Sequence, residues 1–235
     1  YVRGGGADEN LYLLDGNPVY HVNHLLGFFS AFNPDAIKNT RFYKGSFPAE
    51  YGGRLSSVVD VRMNDGNRQE YHGNISVGLL SARANLEGPI VKDRSSFNVS
   101  VRRTWLDLIT GTALAIVNKN SDTKESFGYH FFDINAKVNH SFSERSRAYL
   151  SFYMGQDAFR QGSKEKHEDS DDMFLWRWGN LIGSAGWNYV FGQKLFGNLM
   201  VGYSRFRSHI RQEAKGYEIE GNRAERQSIK RDSRY

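Results

Sequence analysis

Cysteine is absent from the 235-residue sequence. Its absence excludes disulfide bonds, thiolate metal sites and cysteine nucleophiles. No stretch reaches the roughly 18 consecutive apolar residues that a membrane-spanning helix needs. The sequence also begins without a methionine or a signal peptide, so we expect it to be part of a longer protein whose export signal lies upstream.

Aliphatic residues are scarce, whereas aromatic residues and glycine are common. Hydrophobic residues make up 39% of the chain, aromatic residues 14%, and there are 24 glycines. This composition suits strands that have one apolar face and one polar face. The net charge of +5 comes from basic residues dispersed among acidic ones. Since nucleic-acid-binding proteins concentrate their basic residues on one face, we predict no nucleic-acid partner.

The first 67 residues predict a small mixed α/β unit. Residues 11–14 form a short apolar strand before a turn at Asp15-Gly16, and further strands are expected at residues 40–43 and 58–61. Asn33 is a suitable N-cap for a short helix that starts at Pro34. The unit has few large side chains, so its own core would be marginal.

From about residue 70 the apolar residues recur at every second position. Ile134, Ala136 and Val138, for example, alternate with Asn135 and Lys137. Such alternation is typical of strands with one polar face, and we count seven of them. The apolar phase changes near Leu80-Ser81, which predicts a tight hairpin there.

The connections between these strands differ in length. Short turns fall at residues 88–95, 143–146 and 192–194, and long polar loops fall at 106–127, 156–173 and after 211. This alternation favours a bacterial outer-membrane barrel, in which short periplasmic turns alternate with long outer loops. An aromatic girdle is then expected near the strand ends, at Phe131, Phe132, Trp176, Trp178, Tyr189 and Phe191. A soluble β-sandwich remains the alternative.

Seven strands cannot close a bacterial single-chain barrel, which needs an even number and at least eight. We therefore expect either further strands after Tyr235 or pairing with another chain.

Four segments together resemble a known family. They are "VRGG" at residues 2–5, "LYLLDGNPVY" at 11–20, "FNPDAIKNTRFYKGSFPAEYGGRLSSVVDV" at 32–61, and "YHGNISVGLLSARANLEGPI" from Tyr71. In this order they resemble the junction between plug and barrel in TonB-dependent outer-membrane receptors, above all the Bacteroidetes-type receptors that include the SusC-like proteins.

The resemblance implies a mainly β fold: residues 1–67 would be the C-terminal half of a plug domain, and residues 68–235 the first strands of a 22-stranded transmembrane β-barrel. It implies active import of a siderophore, vitamin, oligosaccharide or peptide across the outer membrane, powered through TonB and its inner-membrane motor complex. A SusD-like surface lipoprotein is a further partner in part of the family. The alternative is a barrel that serves as a scaffold or binding subunit without transport.

The same resemblance suggests site residues. Arg3, Lys44 and Arg54 are candidates for a clamp between plug and barrel, with acidic partners expected beyond residue 235. Lys44 stands where arginine is commoner, and lysine lacks the bidentate fork of arginine. Ordinary surface charges are the alternative.

The "YHVNHL" segment contains His21, Asn23 and His24, which would lie in a plug loop facing the substrate. The two histidines could alternatively be a pair of metal ligands, but no third ligand is near in the sequence, so no metal site is predicted. The acidic run that includes Glu168, Asp169, Asp171 and Asp172 predicts a solvated extracellular loop without the spacing of a calcium loop. No catalytic or cofactor-binding motif is found, so we predict neither an enzyme nor a cofactor.

Overall fold

The computed structural model describes residues 6–165, 171–220 and 223–235, and the chain is mainly β. Three predicted site residues, Arg3, Glu168 and Asp169, lie outside these ranges. Within them, no helix has the length and apolar character needed to cross a bilayer.

Residues 6–71 precede the large sheet and are called the N-terminal segment. Its strands are β1 (Asn10–Leu14), β2 (Asn17–Pro18), β3 (Asn23–His24), β4 (Phe29–Ser30), β5 (Ile37–Tyr43) and β6 (Ser57–Met63). Four of them form a sheet in the order β2-β1-β6-β5, while β3 and β4 form a separate hairpin. Strand β6 runs parallel to β1 and antiparallel to β5. The predicted strands at 11–14, 40–43 and 58–61 are thus confirmed.

The predicted cap at Asn33 is also confirmed, although the helix is shorter than an α-helix. The Asn33 side chain accepts a hydrogen bond from the Asp35 backbone N–H (3.3 Å), and Pro34–Ala36 form a single 3-10 turn. Strand β5 begins immediately afterwards at Ile37.

The large sheet contains eight antiparallel strands in sequence order. They are β7 (His72–Val77), β8 (Ser81–Val91), β9 (Ser95–Thr104), β10 (Thr123–Ser143), β11 (Ser146–Glu165), β12 (Asp171–Val190), β13 (Phe196–Glu220) and β14 (Arg223–Arg234). The hairpin near Leu80-Ser81 is confirmed by a hydrogen bond from the Gly78 N–H to the Ser81 carbonyl (2.9 Å).

The sequence prediction underestimated the length of the strands. The expected loop after residue 211 is wrong, because β13 continues to Glu220 and pairs with an eighth strand, β14. Most of the expected loop at 156–173 is strand, because β11 and β12 stay paired as far as Lys164 and Asp171. The region 106–127 contains the helix α1 (Leu106–Val117) and the start of β10. The three short turns are confirmed.

One face of the large sheet is polar and lies against the N-terminal segment, and we call it the covered face. Many of its side chains are buried, and the polar ones of β9 and β10 include Ser96, Asn98, Ser100, Arg102, Thr104, Asp133, Asn135, Lys137 and Asn139. The opposite face, the open face, carries a band of exposed apolar side chains: Val138 is 41% and Leu150 64% accessible. This arrangement inverts the usual sheet of a soluble protein, which buries its apolar face.

The inversion corrects part of the predicted aromatic girdle. Phe131 and Trp178 are buried on the covered face, and Trp176 packs against Trp178 with ring centres 4.1 Å apart. Phe132 and Tyr189 alternate with covered-face residues and therefore lie on the open face.

We expect Gly66 to be required where the N-terminal segment joins the large sheet. It has φ of +81°, and an added Cβ would lie 2.1 Å from the Phe97 carbonyl oxygen. Gly53 has the same φ of +81° but has no atom within 4 Å of the added Cβ. Gly66→Ala should therefore lower the free energy of unfolding by about 3 kcal/mol, and Gly53→Ala by about 1 kcal/mol. Urea unfolding of both variants measures the difference; equal losses would contradict the close approach at Phe97.

Candidate functional site

The N-terminal segment contacts the covered face mainly through polar groups. Its backbone and side chains bond to strands across the large sheet, and five of these bonds reach β8, β9, β12 and β13. These contacts are Asn33 to Ser100 (2.6 Å), Asp35 to Arg83 (3.0 Å), the His21 carbonyl to Asn180 (2.7 Å), the Pro18 carbonyl to Ser204 (2.5 Å), and Asn17 to Ser184. The partners in the large sheet can be assigned to the covered face from the sequence, because each occupies the polar phase of its strand.

His24 is the centre of this interface. Its Nδ1 lies 2.7 Å from an Asp157 carboxylate oxygen, and its Nε2 lies 2.9 Å from an Asp133 carboxylate oxygen. His24 is only 2% exposed, and both aspartates are buried. A carboxylate can only accept a hydrogen bond, so both ring nitrogens donate and His24 is an imidazolium.

Arg102 and Tyr129 complete the cluster. The Arg102 guanidinium donates twice to the second oxygen of Asp133 (2.8 and 2.5 Å) and once to the Ser30 carbonyl (2.7 Å). The Tyr129 hydroxyl donates to Asp157, and it accepts from the Leu25 N–H at 2.5 Å. Two cations therefore balance two carboxylates, as burial of charge requires.

An aromatic ring fixes the orientation of the two cations. The His24 ring stacks on Phe131 with ring centres 4.1 Å apart and planes at 7°, and the Arg102 guanidinium carbon lies 5.0 Å from the centre of the same ring. A cation over an aromatic face is attracted by the ring quadrupole, so Phe131 stabilises the charged form of His24.

The pKa of His24 reflects these contacts. Burial alone would lower it, but the hydrogen bonds and charges of Asp133 and Asp157 outweigh burial and raise the pKa to about 9. For the neighbouring His21, burial outweighs the charge of Asp157 and lowers the pKa. At neutral pH, His24 is therefore charged and His21 is neutral.

Lys137 forms a second ionic contact at the short-turn end of the interface. Its ammonium lies 3.2 Å from Asp15, 3.1 Å from Asp65 and 3.1 Å from the Met63 carbonyl oxygen. Lys38 also pairs with Asp65, at 2.6 Å. Burial on its own would raise the pKa of Asp65, but the hydrogen bonds and charges of Lys38 and Lys137 hold it below its ordinary value.

The predicted site residues fall in different surroundings. Lys44 and Arg54 are exposed; Lys44 lies 5.6 Å from the Phe42 ring centre, and Arg54 donates to the Gly53 carbonyl (2.9 Å). Their clamp role stays a prediction, because its partners were expected beyond residue 235. Asp171 and Asp172 lie in β12 instead of a loop.

The three residues of the predicted substrate-facing loop also differ in exposure. Asn23 is exposed and His21 half-buried, but His24 is buried against Asp133 and Asp157 and is inaccessible to a substrate. The substrate role of the loop can therefore involve only His21 and Asn23, and it stays a prediction. Arg102, Asp133, Lys137 and Asp157 were missed as site residues, although their place in the polar phase of their strands was visible.

Comparisons with known proteins give partial matches. No protein-family model and no curated protein matches the chain. Among solved structures, it is similar to the siderophore receptor PirA of Acinetobacter baumannii at 14% identity and a TM-score of 0.44, over 97% of this chain and 40% of that one. The ferric enterobactin receptor PfeA of Pseudomonas aeruginosa, a double mutant, matches at 15% and 0.45 over 99% and 47%. PirA of Pseudomonas aeruginosa matches at 15% and 0.40 over 99% and 51%. The chain spans about half of these receptors or less.

We expect the docking of the N-terminal segment to weaken at alkaline pH. The pKa of His24 is raised from 6.5 to about 9, so its stabilising contribution is complete below about pH 6.5 and is lost as the pH rises through about 9. The backbone hydrogen bond from Ala31 to the Val22 carbonyl (2.8 Å) lies beside His24 and reports local opening. Hydrogen exchange, corrected for intrinsic rates, should show falling protection of Ala31 over this range. In His24→Gln, protection should be lower and independent of pH; an identical pH profile in both proteins would exclude His24 as the titrating group.

A matched pair of lysine variants tests the second ionic contact. Lys137 is buried, whereas the Lys38 side chain is 54% exposed, and both bond to Asp65. Lys137→Met leaves Asp15 buried without its cation and should cost about 3–5 kcal/mol. Lys38→Met should cost less than about 1 kcal/mol. Urea unfolding measures both values, and similar losses would mean that burial of Asp15 does not depend on Lys137.

Proposed function

We propose that the chain is part of a TonB-dependent transporter in a bacterial outer membrane. Residues 1–67 would form the C-terminal half of its plug, and residues 68–235 part of its barrel wall. The cargo would be a scarce nutrient of the siderophore, vitamin, oligosaccharide or peptide class, imported with energy supplied through TonB and its inner-membrane motor. The resemblance of the four sequence segments and the geometry of the two sheet faces support this proposal.

The observation that carries the proposal is the inverted large sheet. On β10 the open-face side chains from Phe132 to Phe142 are apolar except for His140. Ten residue steps at about 3.3 Å span about 33 Å along the strand. At the 35–45° tilt of barrel strands this is about 25 Å along the membrane normal, the height of the apolar band of outer-membrane barrels.

The connections support the same orientation. The short turns at 92–94, 144–145 and 191–195 lie at one end of the sheet, and the connection that contains α1 lies at the other. In an outer-membrane barrel, the short turns face the periplasm. The N-terminal segment joins β7 at the short-turn end, where Asn139 and Ser96 bond to the Asp65 carbonyl (3.0 and 2.7 Å). The segment would thus enter the lumen from the periplasm.

The interface suits a plug that moves. Ion pairs and hydrogen bonds hold the N-terminal segment to the covered face, and water can replace each of these bonds when the segment leaves. An apolar interface of the same size would instead expose apolar surface to water. A pull transmitted by TonB would therefore have to break the contacts of His24 and Asp15 with the sheet. The sheet offers no comparable support for a SusD-like partner.

A cross-link that locks the N-terminal segment to the wall tests the gate. A Cβ added at Gly202 would lie 2.5 Å from the Asn17 Cγ, which places the two Cβ atoms within reach of a disulfide. Residues 1–235 contain no cysteine, so Asn17→Cys/Gly202→Cys introduces a single pair within them. Cells with the intact protein are supplied with labelled ferric siderophores, cobalamin and oligosaccharides, with and without a protonophore.

We expect protonophore-sensitive uptake of one of these probes by the wild type. The oxidised double variant should fall to background, and reduction should restore uptake. Asn17→Cys alone should be insensitive to oxidant. Full uptake by the oxidised variant would overturn the movement of the segment, and absence of uptake of every probe by the wild type would favour the non-transporting scaffold.

A further inference from the structure

Four arginines on the open face have no acidic partner among the residues that the structure describes. They are Arg160 on β11, Arg177 on β12, and Arg205 and Arg207 on β13, and all four are exposed. Three other basic residues of the same face are paired: Arg103 with Asp107 (2.9 Å), His209 with Asp232 (2.7 Å), and Arg211 with Glu213 (2.8 Å).

The register of the strands brings the four arginines together. Arg160 lies opposite Leu175, two residues from Arg177, and Arg177 lies opposite His209, two residues from Arg207. Diagonal neighbours of this kind are about 7–8 Å apart, within reach of long side chains. Arg205 is two residues further along β13 and on the same face. Like charges at this spacing repel one another, so an anion bound among them would stabilise the group.

The arginine group lies where the apolar band ends. Arg205 is directly opposite Leu181, which in turn lies opposite Met154, and the next open-face row contains Tyr203. Toward the short turns, every further row on β12 and β13 is apolar or glycine as far as Trp187 and Leu199. The arginines are thus at the band edge distant from the short turns, which is the outer-leaflet side in the proposed orientation.

We propose that Arg160, Arg177, Arg205 and Arg207 bind the phosphate groups of an anionic lipid in the outer leaflet, whose acyl chains lie along Met154, Leu181 and Tyr203. This inference rests on the proposed function, because it requires the open face to contact lipid. Guanidinium groups match phosphate oxygens in bidentate geometry, and several of them can hold more than one phosphate. Continuity with the apolar band selects a lipid as the ligand over a soluble anion.

Two double variants with the same change in net charge test the inference. Arg177→Gln/Arg207→Gln removes two unpaired arginines, and Arg103→Gln/Arg211→Gln removes two paired ones from the same face. The intact protein is placed in nanodiscs of phosphatidylcholine with and without phosphatidic acid. Native mass spectrometry then gives the affinity for phosphatidic acid relative to phosphatidylcholine. A further arm adds inorganic phosphate to the protein in neutral detergent.

The wild type should retain phosphatidic acid preferentially. The preference should fall about 25-fold in Arg177→Gln/Arg207→Gln, about fivefold for each arginine, and less than about fivefold in the paired-arginine variant. Equal losses in the two variants would reduce the effect to net charge and overturn the site. If inorganic phosphate bound with the same affinity as phosphatidic acid, the site would be one for soluble anions, which would also overturn the inference.

The neutral-lipid arm separates this inference from the proposed function. Failure of the wild type to insert into phosphatidylcholine nanodiscs would overturn the membrane wall itself. Insertion without any preference for phosphatidic acid would overturn only the lipid site.

Discussion

Charge buried on the covered face determines how the N-terminal segment and the large sheet fit together. Arg102, Asp133, Lys137 and Asp157 are all buried in the large sheet, and a buried charge without a partner would cost several kcal/mol. Arg102 and Asp133 pair within the sheet, but Asp157 needs the imidazolium of His24, and Lys137 needs Asp15. The N-terminal segment can therefore cover these charges only because it brings the matching ones.

The dependence is mutual, because the N-terminal segment lacks a complete core of its own. Leu14, Val61 and Met63 form a small cluster that also includes Tyr153 and Ile182 of the large sheet. The apolar contribution to docking is thus limited to a few side chains, and directional polar bonds determine the position. Such an interface specifies one arrangement but can exchange its bonds with water, as the proposed movement of the plug requires.

The sequence allowed the strands, the short turns and the cap at Asn33 to be predicted, because each depends on neighbouring residues. Strand β14 was missed because Ile229 is its only large aliphatic residue, so it has no apolar period; pairing with β13 forms it instead. The role of His24 was missed for another reason. Its partners lie 109 and 133 residues away in the sequence, and the spacing of His21 and His24 contains no information about them.

The contacts of His24 with Asp133 and Asp157 also depend on the register of the large sheet. Asp133 and Ile134 are neighbours in β10, yet the first requires His24 and Arg102 and the second belongs to the open face. A slip of one residue would exchange the two faces of the strand, placing carboxylates on the apolar side and aliphatic groups against a charged histidine. The pairing of His24 with two adjacent strands therefore selects the register in which every apolar side chain of the band points outward. On the proposed function, the residues that hold the plug closed also fix the lipid-facing surface of the wall.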